Sequence, residues 1–452
     1  MEQTPATWTV SCAGRLLSVF APAPAIPVSL TDPAEIDRAY RRWQRRVLLT
    51  TIAGYALFYF VRKNLSVAMP AMGKDLGITK VDLGLFLTLH GVLYGVARFA
   101  NGFLADRANA RTFMAVGLAA SALMNVCFGF SSAAVTLGVV WMLNGWVQGM
   151  GFPPVSHLMT HWFPPKQLAT KQSIWNTSHS IGAGLVVVLC GFLVTYNWRL
   201  CFFIPAALAL IGSVFLWRLL PDTPPSVGLP EVAGTEHTTT HAENGDDFKA
   251  LLRDNVFRNK YVWILALANF FVYVVRYAVL DWGPTLLSEA KGVKLIHASW
   301  MVAAFEVSGV IGMLLAGLVT DRVFGGRGAR TCLVYMALAT LSVFIFWKLP
   351  AESTVLSAVV LCTAGFFIYG PQALIGITVA NLATKRAAAT AAGFTGIFGY
   401  ASTVLSGWGL GLLVEKTGWD TGFMALAGLS VIGTALFAAA WKAKAHGYAQ
   451  PQ

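Results

Sequence analysis

Charged side chains are scarce in this chain of 452 residues, since Asp, Glu, Lys and Arg together make up only 12% of it. Soluble proteins carry about 25% charged residues, and an apolar fraction of 56% points the same way. This composition excludes a soluble globular protein and predicts one that crosses a membrane many times. Residues 1–46 contain no long apolar run, so we expect no cleavable signal peptide and insertion through the first span.

Motifs for chemistry are also lacking. The six cysteines show no metal-binding or redox spacing. There is no Gly-x-x-x-x-Gly-Lys-Ser/Thr loop for nucleotide phosphates, and no convincing catalytic triad. We therefore expect no enzyme, no metal and no cofactor, and any transport would draw on gradients rather than on ATP.

Apolar runs dominate the rest of the chain. A membrane-spanning helix needs about 20 apolar residues, and twelve such segments can be placed. They lie near residues 47–70, 84–105, 111–131, 134–157, 172–195, 200–219, 260–283, 297–320, 331–349, 355–380, 388–414 and 420–441.

The net charge of +12 has a one-sided distribution. Most Lys and Arg residues fall in the tails and loops on the side of the two termini, which the positive-inside rule makes cytoplasmic. Membrane topology therefore explains the charge, and a nucleic-acid partner is not expected.

A polar stretch divides the apolar segments into two blocks of six. We predict a cytoplasmic N-terminal tail, an N-terminal six-helix bundle, a cytoplasmic linker, a C-terminal six-helix bundle and a short cytoplasmic C-terminal tail. Their predicted bounds are 1–46, 47–220, 221–258, 259–442 and 443–452.

The two blocks repeat one another. A Tyr-x-x-Arg phrase ends at Arg62 and again at Arg276, 214 residues later, inside apolar segments. A Gly-x-x-x-Asp-Arg turn carries Asp106 and, 215 residues later, Asp321. Duplicated bundles of this kind place a substrate site at the membrane midplane between the halves.

The Gly-x-x-x-Asp-Arg turns are typical of the major facilitator superfamily. Their glycines allow close helix approach, and their charges can pair across helix ends, so we expect a gating or structural role. The residues concerned are Asp106, Arg107, Arg111, Asp321, Arg322 and Arg330.

The repeated arginines are the candidates for ligand binding. Tyr55, Tyr59 and Arg62 follow i, i+4, i+7 spacing and would share one helix face. Arginine suits phosphate because its planar fork donates bidentately and stays charged when desolvated. Lys63 would point about 100° away, and we expect it to pair locally or to reach the membrane surface.

Other interpretations stay open on spacing alone. Each arginine could merely pair with a carboxylate, for which Asp281 and Glu306 are candidates. The tyrosines could be packing residues, and His179 could be a core histidine. Arg98 could belong to the site or to a cytoplasmic network.

Several motifs resemble the organophosphate:phosphate antiporter family of the major facilitator superfamily, from about residue 35 to 440. They are GYALFYFVRKN at 54–64, QGMGFPP at 148–154, WNTSH at 175–179, VRYAVLDW at 275–282, YGPQALIG at 369–376 and AAGFTGIFGY at 391–400. The family includes glycerol-3-phosphate and hexose-phosphate transporters and a hexose-phosphate sensor. Residues 34–43 and the first span resemble the sensor branch, and 148–154 resembles the glycerol-phosphate carriers.

The resemblance implies an all-α membrane protein with twelve transmembrane helices in two pseudo-symmetric six-helix bundles. It implies exchange of a hexose phosphate or glycerol-3-phosphate for inorganic phosphate by alternating access. It also implies a multi-pass protein of the bacterial inner membrane, monomeric, with both termini cytoplasmic. The substrate-binding residues would be Arg62, Arg276, His179, Tyr55, Tyr59, Tyr273, Tyr369 and Tyr400, to which we add Arg98 and Asn176.

Two other functions remain open. The same site could serve a receptor that binds hexose phosphate and signals to a membrane histidine kinase. Alternatively, His179 could make the protein a proton-coupled anion symporter.

Overall fold

The computed structural model describes residues 19–28, 30, 32–105, 108–231, 252–383 and 388–443. Within these ranges the regular elements are all helices, as predicted. The longer ones are α1 Pro33–Phe60, α2 Asn64–Leu76, α3 Lys80–Ala105, α4 Ala110–Phe130, α5 Ala134–Gln148, α6 Phe152–Trp162, α7 Pro165–Leu193, α8 Leu200–Leu219, α9 Lys260–Lys291, α10 Leu295–Arg322, α11 Gly328–Lys348, α12 Thr354–Leu382, α13 Ala388–Ala401 and α14 Leu410–Ala439. A π-helical turn, Val404–Gly409, joins the last two.

Local sequence sets where several of these helices begin and end. Asp32 caps α1 by accepting a hydrogen bond from the Ala34 amide, and a proline occupies the first helical position. Gly77 and Gly292 follow α2 and α9 with φ angles of 67° and 64°. This left-handed conformation ends a helix at no steric cost only for glycine.

Nine helical runs in the described part of the chain are long and apolar enough to cross a membrane. Three interruptions account for the difference from the twelve predicted spans. The first predicted span is divided into α1 and α2, and the fourth into α5 and α6. The last run, 390–439, contains Gly418 at φ 83°, so two crossings can meet there.

The two halves of the molecule touch on the side away from the termini. There α3 lies against the π-helical turn so closely that a Cβ on Gly84 would be 2.6 Å from the Gly407 carbonyl oxygen. On the other flank, a Cβ on Gly191 of α7 would be 2.7 Å from the Ser299 side chain of α10. Because glycine has no side chain, these helices can approach one another closely.

In the part of the chain that the structure describes, side-chain bonds across the halves lie on the closed side and at the centre. Among the described residues, Arg98 and Tyr400, near mid-depth, are the last pair before the terminal side to bond across the halves. The described residues thus join the halves by bonds on one side of the centre and by none on the other.

The segment before α1 and the segment after α8 form a collar on the N-terminal half, made of residues 20–28, 30 and 220–231. Its centre is Asp222, which is buried and accepts hydrogen bonds from the amides of Ala23 at 3.0 Å and Ala110 at 2.9 Å. The Asp222 carbonyl also accepts from the Trp162 indole at 2.9 Å. The first ten residues of the predicted linker therefore pack on the N-terminal half.

Tyr40 of α1 holds the far end of the collar by donating its hydroxyl proton to the Pro230 carbonyl. Burial, together with the nearby Glu231 carboxylate, raises the pKa of Tyr40 to about 12. The hydroxyl therefore keeps its proton, and this hydrogen bond, throughout the neutral range.

We expect Gly84→Val to weaken closure between the halves, because the new side chain would overlap the Gly407 backbone. Spin labels at the exposed positions Val135 and Val355, on the closed side of the two halves, should move apart. Gly428→Val is the matched control, since nothing lies within 4 Å of a Cβ there. An unchanged distance distribution in Gly84→Val would contradict this account of closure.

Candidate functional site

Arg62 lies in the short interruption between α1 and α2. Its guanidinium carbon is 4.1 Å from the ring centroid of Tyr94 and 5.5 Å from that of Tyr59. Aromatic faces attract a cation through their quadrupole, by about 2 kcal/mol or more when desolvated. These rings therefore offset part of the cost of an arginine at this depth.

Arg276 occupies the matching place in the C-terminal half, within the continuous helix α9. It is 4% exposed and donates from Nη2 to the Tyr369 hydroxyl at 3.0 Å. The rings of Tyr369, Tyr277 and Tyr273 lie 4.6, 5.8 and 6.0 Å from its guanidinium carbon. Its Nε is buried and has no partner among the described residues.

Arg98 of α3 reaches the same region from a third helix. It donates from Nη1 to the hydroxyl of Tyr400 on α13. Its guanidinium carbon also lies 3.7 Å from the ring centroid of Phe152. Arg98 thus belongs to the centre between the halves rather than to a surface network.

His179 connects the aromatic residues of the N-terminal half. Its ring is 4.9 Å from Tyr55 and 5.4 Å from Tyr59, centroid to centroid. The Nδ1 atom pairs with the Asn176 carbonyl oxygen at 2.7 Å, while the residue Asn176 itself is exposed. His179 is within electrostatic range of Arg62, Arg98 and Arg276.

The three arginines carry no direct counter-charge. Among the described residues, no carboxylate lies within 4.0 Å of any of them. Glu306 interacts electrostatically with Arg276, but its carboxylate is fully buried with no hydrogen-bond partner in that same part of the chain. The centre is therefore strongly cationic and lined by hydroxyl groups, which suits a multiply charged oxyanion.

Lys63 differs from its prediction. It neither pairs locally nor reaches the surface, but forms an ion pair with Asp281 of α9, in the opposite half. The two side chains are only 7% and 10% exposed. Asp281 is thus the partner of Lys63 and not of Arg276.

A small cavity lies beside Arg62 and Lys63. It has a volume of about 20 Å³ and is lined by Arg62, Lys63, His90, Tyr277 and Tyr400, among others. That volume holds about one water molecule. This cavity is therefore too small for a phosphate ion.

The residues of the Gly-x-x-x-Asp-Arg turns are spread over the terminal side. Asp106 and Arg107 lie outside the described residues. Asp321 and Arg322 are exposed at the end of α10, and Arg111 is partly buried in the first turn of α4. Arg330 stacks on Trp441, with its guanidinium carbon 4.6 Å from the ring centroid.

Sequence reasoning missed Tyr94, Tyr277 and Trp175. Tyr94 lies 3.3 Å from Tyr55, hydroxyl to hydroxyl, and 5.2 Å from Tyr400 between ring centroids, so it links the halves. A signal did exist, because Tyr94 and Arg98 have the same i, i+4 spacing as Tyr55 and Tyr59. That spacing occurs in one half only, so the repeat between the halves does not point to Tyr94.

Comparison with protein families gives a match over most of the chain. The family described as the Major Facilitator Superfamily matches residues 51–407. The glycerol-3-phosphate transporter of Bacillus subtilis is 37% identical over 94% of this chain and 98% of its own length. The membrane sensor protein UhpC of Salmonella typhimurium is 39% identical over 91% and 96%.

Two further comparisons agree with these. A probable hexose phosphate transport protein of Chlamydia pneumoniae is 35% identical over 92% of this chain and 94% of its own length. Among solved structures, a bacterial homologue of the human lysosomal transporter Spinster superposes with a TM-score of 0.75 at 16% identity, covering 87% of this chain and 96% of its own.

The Lys63–Asp281 pair leads to a stability prediction. Removing one member of a buried ion pair leaves an uncompensated charge and costs about 3–5 kcal/mol. We expect Lys63→Met and Asp281→Leu each to lower the thermal midpoint of the detergent-solubilised protein. The double variant should recover most of the loss, and a double loss equal to the sum of the two single losses would contradict a direct pair.

Proposed function

This chain belongs to the Major Facilitator Superfamily, as its motifs predicted, and we propose that it is a secondary transporter that exchanges an organophosphate for inorganic phosphate. The organophosphate would be a hexose phosphate or glycerol-3-phosphate. The observation that carries the proposal is the group of three arginines, Arg62, Arg98 and Arg276, which have no carboxylate within 4.0 Å in the described chain.

The proposed role of each side chain follows from its chemistry. Arg62 and Arg276 approach from the two halves and would each donate to phosphate oxygens, bidentately where the geometry allows. Arg98 and His179 would supply further positive charge or donors. The hydroxyls of Tyr59, Tyr369 and Tyr400, and the other tyrosines of the site, would serve as neutral donors and as walls for the organic part of the ligand.

Alternating access would follow from the charges. Without a ligand, Arg62 and Arg276 repel each other across a region of low dielectric, which opposes closure of the terminal side. An anion between them replaces that repulsion with two attractions, and the closed form becomes more stable. The loaded protein would then reorient more easily than the empty one, so that inward and outward fluxes would be coupled as exchange.

The proposed frame has two rocking bodies, residues 47–220 and 259–442, joined by the linker 221–258. We place the protein in a bacterial inner membrane, as a monomer with both termini in the cytoplasm. The terminal side, on which no described bond joins the halves, would then be the cytoplasmic one.

A membrane sensor is the second candidate function. The chain is as similar to a sensor protein, at 39% identity, as it is to a transporter, at 37%. In that case the same site would bind hexose phosphate and pass a signal to a histidine kinase. Binding of hexose phosphate to the purified protein without flux in vesicles would favour this alternative.

Exchange in proteoliposomes loaded with labelled phosphate tests the proposed transport function. We expect external glycerol-3-phosphate, or one of a panel of hexose phosphates, to accelerate release of the label. A three-carbon acid phosphate in the same panel tests the specificity for the organic part. If no ester makes release of the label faster than it is without ester, obligatory exchange is ruled out. Uptake driven by a pH gradient in phosphate-free vesicles would instead indicate proton symport.

Arg62→Lys tests the role of the guanidinium group. Lysine keeps the charge but loses the planar fork of donors, so we expect at least a tenfold loss of exchange. Arg218→Lys, at an exposed position in the last turn of α8, is the matched control and should stay near wild type. Near-normal exchange by Arg62→Lys would exclude bidentate binding at this residue.

A further inference from the structure

The interruption that carries Arg62 contains neither glycine nor proline. Helix α1 ends at Phe60 and α2 begins at Asn64, and Val61 between them has φ −99° and ψ 18°. The amide of Arg62 donates to the Tyr59 carbonyl at 3.2 Å, whereas a regular α-helix would direct it to residue 58. The Phe58 carbonyl therefore loses its helical partner.

Side-chain amides from two other helices take the place of these helical bonds. The Val61 carbonyl accepts from Asn125 Nδ2 and from Asn144 Nδ2, each at 2.9 Å. The Phe58 carbonyl accepts from Gln148 Nε2 at 3.0 Å. All three donors are buried, at 0–2% exposure. An unpaired carbonyl at this depth in a membrane would be strongly unfavourable.

The donors are themselves held in place. Ser121 donates to Asn144 Oδ1 at 2.6 Å and accepts from Gln148 Nε2 at 2.8 Å. Asn125 Oδ1 accepts from Asn64 Nδ2 at 2.8 Å. Since both ends of each asparagine amide are bonded, neither asparagine can rotate without breaking hydrogen bonds.

One peptide unit receives most of these bonds. The Val61 carbonyl and the Arg62 amide belong to the same plane, and that plane ends at the Cα of Arg62. Two amides hold its oxygen and the Tyr59 carbonyl holds its nitrogen. The Lys63 amide also donates to the Tyr59 carbonyl, at 2.9 Å, so the peptide planes on both sides of the Arg62 Cα are held and the direction of its side chain is set.

We propose that Asn125 and Asn144 are positioning residues for Arg62, acting as a clamp on the Val61 carbonyl that aims the guanidinium group at the bound phosphate. This inference rests on the proposed function, in which Arg62 binds phosphate. Arg276 needs no such device, because α9 runs without interruption from Lys260 to Lys291. The two repeated arginines are thus held by different means.

Hydrogen exchange followed by mass spectrometry tests the clamp without any ligand. We expect Asn125→Leu and Asn144→Leu to speed exchange in peptides covering residues 58–65 of the full-length protein in detergent. Each single variant leaves the Val61 carbonyl one donor, and Asn→Ala at the same positions is the substitute if a leucine variant does not fold. Thr51→Val, a buried change on α1 away from the interruption, should leave these peptides unchanged.

Inorganic phosphate is the probe for the link to binding. We expect either asparagine variant to raise the phosphate concentration needed for half-maximal thermal stabilisation about tenfold, the effect of losing one strong hydrogen bond. In an Arg62→Lys background, Asn144→Leu should add little, because its effect runs through the guanidinium group. A full additional tenfold loss there would show that Asn144 is merely structural and would overturn the proposal.

The two measurements separate the two hypotheses. Unchanged exchange at residues 58–65 in both asparagine variants would overturn the clamp, whatever phosphate does. A wild-type protein that neither phosphate nor a phosphate ester stabilises would overturn the proposed function, while the exchange data would still decide whether the clamp exists.

Discussion

The rest of this structure depends on the free-energy cost of holding cations among apolar helices. A single arginine at the centre of a membrane costs about 2.5–3.5 kcal/mol on insertion scales, and this molecule holds three near one another. Aromatic faces and tyrosine hydroxyls surround each of them, and the described carboxylates stay beyond ion-pair distance. These arginines are therefore partly stabilised but not neutralised, and a mobile anion can supply the missing charge.

The two adjacent cations in the interruption, Arg62 and Lys63, have different surroundings. Arg62 turns toward tyrosine rings and has no described carboxylate within 4.0 Å, while Lys63 is neutralised by Asp281 of the opposite half. One short stretch of backbone thus places a candidate ligand-binding charge beside a charge that fastens the halves. Any movement of this stretch would affect both charges, so the proposed binding at Arg62 would be coupled to the contact between the halves.

The sequence identified candidate site residues where their spacing lies within one helix or recurs in the two halves. Tyr55, Tyr59 and Arg62, and their counterparts Tyr273 and Arg276, were found because they recur at one spacing in two halves. The structure brings these residues together around one centre with His179, Arg98, Tyr369 and Tyr400. The family and the fold class also followed from motifs, and both are confirmed by the comparisons.

What could not be predicted depends on contacts between helices far apart in the chain. Lys63 and Asp281 are separated by 218 residues, and the sequence around either residue does not indicate the other as its partner. The division of the first span was equally hidden, because the amides that pair with its free carbonyls belong to Asn125, Asn144 and Gln148 on other helices. An asparagine in an apolar segment shows that a partner must exist, but packing alone decides which carbonyl it meets.

The collar gives the N-terminal half a different mechanical character from its counterpart. Asp222 fastens the start of the predicted linker to the segment before α1 and to the first turn of α4. Residues 220–230 are therefore fastened to the N-terminal half, and any rocking motion would carry them with that half as part of one lever.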